Sequence, residues 1–415
     1  MQAKTFTLFI LALFTCSALH AQQKLVTSED SLNNNLTKSG TSIGGYGNAF
    51  YQRNKNLGTS KLDLERFVLF TGHKFNEKIS FFGELEVEDA KVTGGESGGE
   101  IAIEQAYLKF NLNANQYIVA GLFLPRIGIL NENHLPNTFN GNERNYVETF
   151  ILPSTWRELG VGFYGRLNRL PVNYSVGVVN GLSSQGFSHG TGIRDGRFEG
   201  RNASANNIAV TASLQFYQGN FKAQVSGYYG GTISSSKRRA DSLGTSSGLG
   251  LPSGAFGTPV AIGEGDIQYA SGGFSFKALA SLVSIPDADK INAAYENNTA
   301  KTSYGAYAEV AYDILYKNNQ PARPQFIVFL RDERFDLNYR VPPAPYGISD
   351  GTLSQNHIVT GVSYLPMPNV VIKADVRLIK TGSQNPALTG ANPNPAALPY
   401  QTSNNLINLG IGFSF

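Results

Sequence analysis

Charged side chains recur at every second position in several stretches of this 415-residue sequence. In KISFFGELEVED, Glu84, Glu86 and Glu88 fall on one side of an extended chain and Ile79, Phe81, Gly83, Leu85 and Val87 on the other, because side chains alternate along a strand. VVIKADVRL sets Lys373, Asp375 and Arg377 against Val370, Ile372, Ala374, Val376 and Leu378, and FIVFLRDER adds Arg331 and Glu333. Lys109 in AYLKF and Arg166 follow the same parity. A second set of charges surrounds IGILNENHLPNTFNGNERNYVETFILPSTW: Arg126, Glu132, Glu143, Arg144, Glu148, Arg157 and Glu158. Rows of mixed sign facing each other across a gap create a transverse field that passes small polar solutes and excludes greasy ones. Covalent chemistry asks for more, namely a nucleophile or activated water with a base and a carboxylate beside it. Beyond the first 21 residues only His73, His134, His189 and His357 are available, and they are scattered; Ser188 and His189 are adjacent, and neighbours seldom aim at one atom. There is no HExxH and no histidine cluster, and the glycines of SSGLGLPSGAFG do not bridge a strand and a helix, so no metal site and no cofactor is expected.

What must position these rows is a set of about sixteen alternating segments of about ten residues each. Their approximate spans are 42–52, 62–74, 78–90, 101–112, 116–126, 157–168, 171–180, 205–217, 220–230, 264–271, 273–284, 303–316, 323–334, 356–365, 369–379 and 405–415. Short turns such as NAN (113–115), QGN (218–220), GG (272–273) and PMPN (366–369) join alternate pairs, with the Gly, Asn and Pro that tight turns use. The other connections are mostly long, about 25 to 30 residues after the fifth, seventh and ninth segments. This rhythm predicts an all-β chain forming a transmembrane antiparallel β-barrel over 41–415, with both ends in the periplasm and the long loops outside; a secreted sandwich or β-helix has no reason to alternate its connections so regularly. Sixteen strands leave an aqueous lumen.

The third long connection carries Leu130, Leu135, Phe139, Tyr146, Phe150, Ile151 and Trp156, too many apolar residues for a loop in water. It is expected to fold inward, with Arg126, Arg144, Arg157, Glu143 and Glu148 at a constriction; the alternative is a cap over the mouth or a subunit contact. The last segment, NNLINLGIGFSF, turns Ile407, Leu409, Ile411, Phe413 and Phe415 to one face. In a closed barrel that face meets outer-membrane lipid, and Phe413 and Phe415 form a terminal signal of the kind that barrel-assembly machinery reads.

Composition agrees with strands and turns: Gly (45), Phe (26) and Tyr (20) are plentiful and charged residues only 16%. MQAKTFTLFILALFTCSALHAQQ reads as a secretory signal over 1–21, followed by a short periplasmic segment over 22–40. Removing the signal takes away the only cysteine, Cys16, and lowers the formal charge from +3 to +2 as Lys4 leaves. So small a charge, with no basic stripe, argues against a nucleic-acid partner. No run of 18 apolar residues follows the signal, which excludes a helical membrane protein.

ERFVLFTGHKFNEKISFFGELEVEDA (65–90), EQAYLKFN (104–111), YIVAGLFLPRIGILNEN (117–133) and PSTWRELGVGFYGRL (153–167) resemble the porin O and P family, often described as phosphate-selective porins. The resemblance is good over about residues 60 to 170 and is one of strand rhythm thereafter. It implies a Gram-negative outer-membrane channel of sixteen strands, usually a homotrimer, narrowed by its third loop, for diffusion of small hydrophilic solutes. Anion-selective members line the passage with arginines and lysines; Arg126, Arg144 and Arg157 fall where such residues could sit. Here Glu132, Glu143 and Glu148 accompany them, which favours a general or weakly selective channel over a phosphate-specific one. Two other classes stay open: a surface receptor or adhesin using the long loops, and a barrel enzyme. A transporter for hydrophobic molecules would want a lumen plug at its N-terminus, for which 22–40 is short and polar.

Overall fold

A computed structural model of the chain describes residues 39–89, 99–232, 254–317, 324–386, 388 and 401–415. The signal over 1–21, and the periplasmic segment over 22–40 save its last two residues, lie outside the described residues. Sixteen strands follow in order: β1 (Gly40–Asn54), β2 (Thr59–Lys74), β3 (Ile79–Glu88), β4 (Ile101–Asn113), β5 (Gln116–Phe123), β6 (Glu158–Arg166), β7 (Val172–Asn180) and β8 (Ile208–Gln218). The second half comprises β9 (Phe221–Gly230), β10 (Val260–Ser271), β11 (Phe274–Ser284), β12 (Thr302–Asp313), β13 (Gln325–Arg340), β14 (Ser354–Met367), β15 (Val370–Thr381) and β16 (Ser403–Ser414). A helix of two turns, α1 (Ala288–Tyr295), lies between β11 and β12.

Each strand pairs antiparallel with its neighbours in sequence, and β16 closes on β1. Closure runs to the final residue: Phe415 and Gly45 exchange two backbone hydrogen bonds of 2.9 Å. Tight connections gather at the end of the barrel where β1 begins and β16 finishes. One is Gly272-Gly273, whose φ of 59° and 83° suits the two-residue hairpin that joins β10 to β11. The opposite end carries the long loops, with the connection at 55–58 as its short exception.

Parity sorts the side chains as expected. Leu85, Val176, Val225, Leu330, Leu409 and Ile411 stand outward, 38% to 58% exposed, as part of an apolar belt that fits lipid. Glu84, Glu86, Arg331, Glu333, Lys373, Asp375 and Arg377 point inward and are buried. Several strands outrun their alternating segments at the loop end: β2 starts at Thr59, β10 at Val260, and β13 reaches Arg340. Beyond the lipid belt both faces of the wall meet polar surroundings, so the pairing continues after the alternation has stopped.

The inserted loop and the charged vestibule

The connection between β5 and β6 (124–157) folds into the lumen. Its first and last parts form a core against the inner wall: Ile127, Ile129, Val147, Ile151, Leu152 and Trp156 are at most 3% exposed, clustered with Tyr228, Ile262, Leu279, Tyr307 and Phe335 of the strands. Glu148, in a π-helical turn over Val147–Ile151, binds the loop to itself. Its carboxylate accepts from the backbone N–H of Ile129 and Leu130 (both 2.7 Å), from Asn145 Nδ2 (2.9 Å) and from Tyr307 Oη (2.8 Å).

The middle of the loop is held by the charge rows of β12 to β15. Arg331 donates to the Asn140 carbonyl (3.1 Å), Glu309 (3.1 Å) and Glu333 (2.7 Å); Lys373 donates to the Gly141 carbonyl (2.8 Å). Asp375 accepts from both the backbone N–H (2.8 Å) and the side-chain amide (2.7 Å) of Asn142. Arg377 pairs with Glu333 and Glu143, 3.2 Å each, and the Tyr146 N–H donates to Glu333 (2.8 Å). By sequence, Arg331, Glu333, Lys373, Asp375 and Arg377 are expected to face an aqueous lumen. They face inward, and what they face is the backbone of the loop, whose polar groups need partners wherever no strand ladder supplies them.

On the loop's outer side lies a cavity of about 430 Å³, lined by Glu143, Arg144 and Arg157 together with Glu86, Glu88, Arg66, Arg194, Arg197 and Glu199. Glu199 bridges Arg157 (3.1 Å) and Arg197 (2.7 Å), while Arg194 reaches back to the Thr149 carbonyl (2.9 Å), tying the 181–207 connection to the inserted loop. Burial, followed by the like charges of Arg197 and Arg144, lowers the Arg194 pKa to about 10. It remains cationic at neutral pH, with Glu199 and Glu88 partly offsetting these effects.

The other candidates lie elsewhere. Arg126 pairs with Glu132 and stacks on Tyr164 at 5.1 Å, and Lys222 lies 3.2 Å from the same glutamate. Burial alone would raise the Glu132 pKa; Arg126 and Lys222 outweigh it and hold the carboxyl at about 2. Lys109 lies over the Tyr117 ring at 4.3 Å, and Arg166 donates to Asn115 in the β4–β5 turn (2.9 Å). Of the five constriction candidates, Glu143, Arg144 and Arg157 line the cavity; Arg126 and Glu148 do not.

Sequence reasoning passed over Glu65, Arg66 and Glu104. Two bulges explain the omission. Register shifts opposite Glu84/Leu85 and Asn48/Ala49 insert Glu104 into β4 and Glu65 into β2, so Glu104-Gln105 and Glu65-Arg66 break simple alternation. Arg194, Arg197 and Glu199 belong to a connection without periodicity, where only their density in GIRDGRFEGR marks them.

No family model matches the chain. An uncharacterized protein of Aquifex aeolicus (strain VF5) is 30% identical over 352 residues, which cover 81% of this chain and 75% of the relative. Among solved structures, Salmonella typhi OmpF in complex with daunomycin superposes with a TM-score of 0.54 at 11% identity, over 91% of this chain and 98% of that one. An anion-selective porin from Comamonas acidovorans gives 0.51 at 12% identity, over 91% and 100% of the two chains. A loop-deletion mutant of OmpT, an outer membrane protein of Vibrio cholerae, gives 0.52 at 9% identity, again over 91% and 100%. At such identities the likeness is one of fold.

Proposed function

The chain belongs to the same family as the Aquifex aeolicus protein, and with its barrel as the premise we propose that it is an outer-membrane channel for diffusion of small hydrophilic solutes, without catalysis or cofactor. The observation that carries this reading is the charged cavity above a loop folded into a closed barrel whose outer wall is apolar. Such a channel does no chemistry; the gradient drives flux and the wall sets which charges pass. Its mouth sets Lys61, Arg66, Arg144, Arg157, Arg194 and Arg197 beside Asp63, Glu65, Glu86, Glu88, Asp89, Glu100, Glu143 and Glu199, six cations against eight carboxylates, a mixed lining that suits a general, weakly selective channel rather than a phosphate-specific one. Kinship with the porin O and P family and assembly as a homotrimer rest on the resemblance over residues 60 to 170. Phe413 and Phe415, on the outward face of the closing strand, suit recognition by the assembly machinery.

The enzyme alternative finds little support at its best candidate. Ser188 Oγ binds Asp195 (2.8 Å), while the His189 ring contacts Asp350 (2.8 Å) and Asn298 (3.2 Å), so the hydroxyl and the imidazole are committed to different partners. The test of selectivity is the reversal potential of single channels across a KCl gradient. A small potential that moves toward cation preference in Arg144→Ala and Arg194→Ala is expected; a potential unchanged in both variants counts against an arginine-lined path.

A further inference from the structure

Three elements meet in a polar cluster deep in the lumen. Glu84 on β3, Glu104 at the bulge of β4 and His134 on the inserted loop are 2%, 0% and 3% exposed. One ligand-capable atom from each lies within 4.8 Å of those of the other two, and His134 Nε2 is 3.4 Å from Glu84 Oε1. Neighbouring donors satisfy the cluster only in part. Gln105 donates to Glu84 Oε2 (2.6 Å), Thr155 Oγ1 donates to Glu104 Oε1 (2.6 Å), and Arg157 Nη1 stands 3.6 Å from that last oxygen. Glu104 Oε2 and His134 Nδ1 are buried with no hydrogen-bond partner. Glu86 Oε1, on the same strand face, also lacks a donor in hydrogen-bond geometry; its carboxyl lies against that of Glu104, with Arg66 Nε 3.8 Å away.

We infer that Glu84, Glu104 and His134 form a divalent-metal site that ties the inserted loop to β3 and β4. Carboxylates withdrawn from water need compensating positive charge, and a dication supplies it where Arg157 reaches only one oxygen of Glu104 and Arg144, though it acts on Glu104, makes no ion pair with Glu84 or Glu104. One imidazole with two carboxylates suits Zn²⁺ or Mn²⁺; a thiolate-seeking ion finds no sulfur here, and Ca²⁺ or Mg²⁺ prefer oxygen alone. Three protein ligands with an open position is a common zinc arrangement. Bond lengths of about 2.1 Å place ligand atoms around one ion about 3 to 4 Å apart, so the side chains close by about an ångström on binding. The spacing of these residues hides the site in sequence: Glu104 lies 20 positions beyond Glu84, and His134 a further 30. The inference goes beyond the channel reading, and its test does not depend on conductance.

The rival arrangement is an imidazolium bridging two carboxylates with no ion. To separate the two, untagged full-length protein purified in detergent is stripped with EDTA and titrated with ZnCl₂ by calorimetry. The metal site predicts one equivalent bound, weakened at least tenfold in Glu104→Gln and in His134→Gln, each still showing the heat-dependent gel shift of a folded barrel. No stoichiometric uptake by folded wild type overturns the inference, as does uptake unchanged in both variants. Should the variants fail to assemble, the zinc K-edge spectrum of the loaded wild type decides: one imidazole with oxygen ligands supports the site, and two or more imidazoles overturn it.

Discussion

Glu148 sits 1% exposed in the last part of the inserted loop, where it collects two backbone N–H groups, an amide and a phenol. In sequence it is a charge among apolar residues of a pore loop and reads as a constriction candidate. The fold turns it the other way, because the N–H groups of Ile129 and Leu130 lie in an irregular buried segment and have no ladder partner. Glu148→Ala orphans both, at a cost of about 1–3 kcal/mol each. The barrel is expected to survive with its loop loosened, seen as larger and noisier single-channel currents; wild-type current noise in the variant would contradict this role. Arg144 and Arg157, by contrast, line the vestibule, although nothing in their sequence setting distinguishes them from Arg126, which is taken by Glu132.

Among the elements, the strands were the most legible part, since alternation of lipid-facing and inward residues is forced on every wall segment. The lumen rows on β3, β13 and β15 followed from the same parity, and the loop's insertion was foreshadowed by Phe139, Tyr146 and Trp156 in a connection that should otherwise be wet. What alternation does not encode is the bulge that adds Glu104, or the partner that an inward charge finds. β16 shows how closely wall and loop are fitted: a Cβ at Gly410 would collide with Asn142 Oδ1 and lie 3.0 Å from Phe50 Cβ, and one at Gly412 would meet Pro136. Gly410→Leu must therefore push Asn142 off Asp375 and displace the loop from this wall. An altered or unstable conductance level is expected, while Gly263→Leu, on the lipid face with open space at its Cβ, serves as the neutral control. Equal currents from the two variants would show that the loop is not seated on β16.

At the scale of the molecule, the wall is organised against lipid outside and against its own loop inside. Val225 on β9 belongs to the outer belt, 58% exposed. Val225→Arg is expected to lower unfolding stability in bilayers by about 2–4 kcal/mol if that position lies near the midplane, and much less in detergent, where the side chain finds water. Equal losses in both media would argue against a lipid-facing belt there. Inside, the loop is bonded to wall strands around much of the circumference, from Glu84 on β3 through Lys222 on β9 to Asp375 on β15, so any path through is narrow and polar. Diffusion through the barrel requires that such a path exists. Reconstitution of the wild-type protein in a planar bilayer, with single-channel recording in symmetrical KCl, tests it most directly. Discrete, small, ohmic steps are predicted; a folded, inserted barrel that stays electrically silent would contradict the channel and turn attention to the long outer loops as the functional surface.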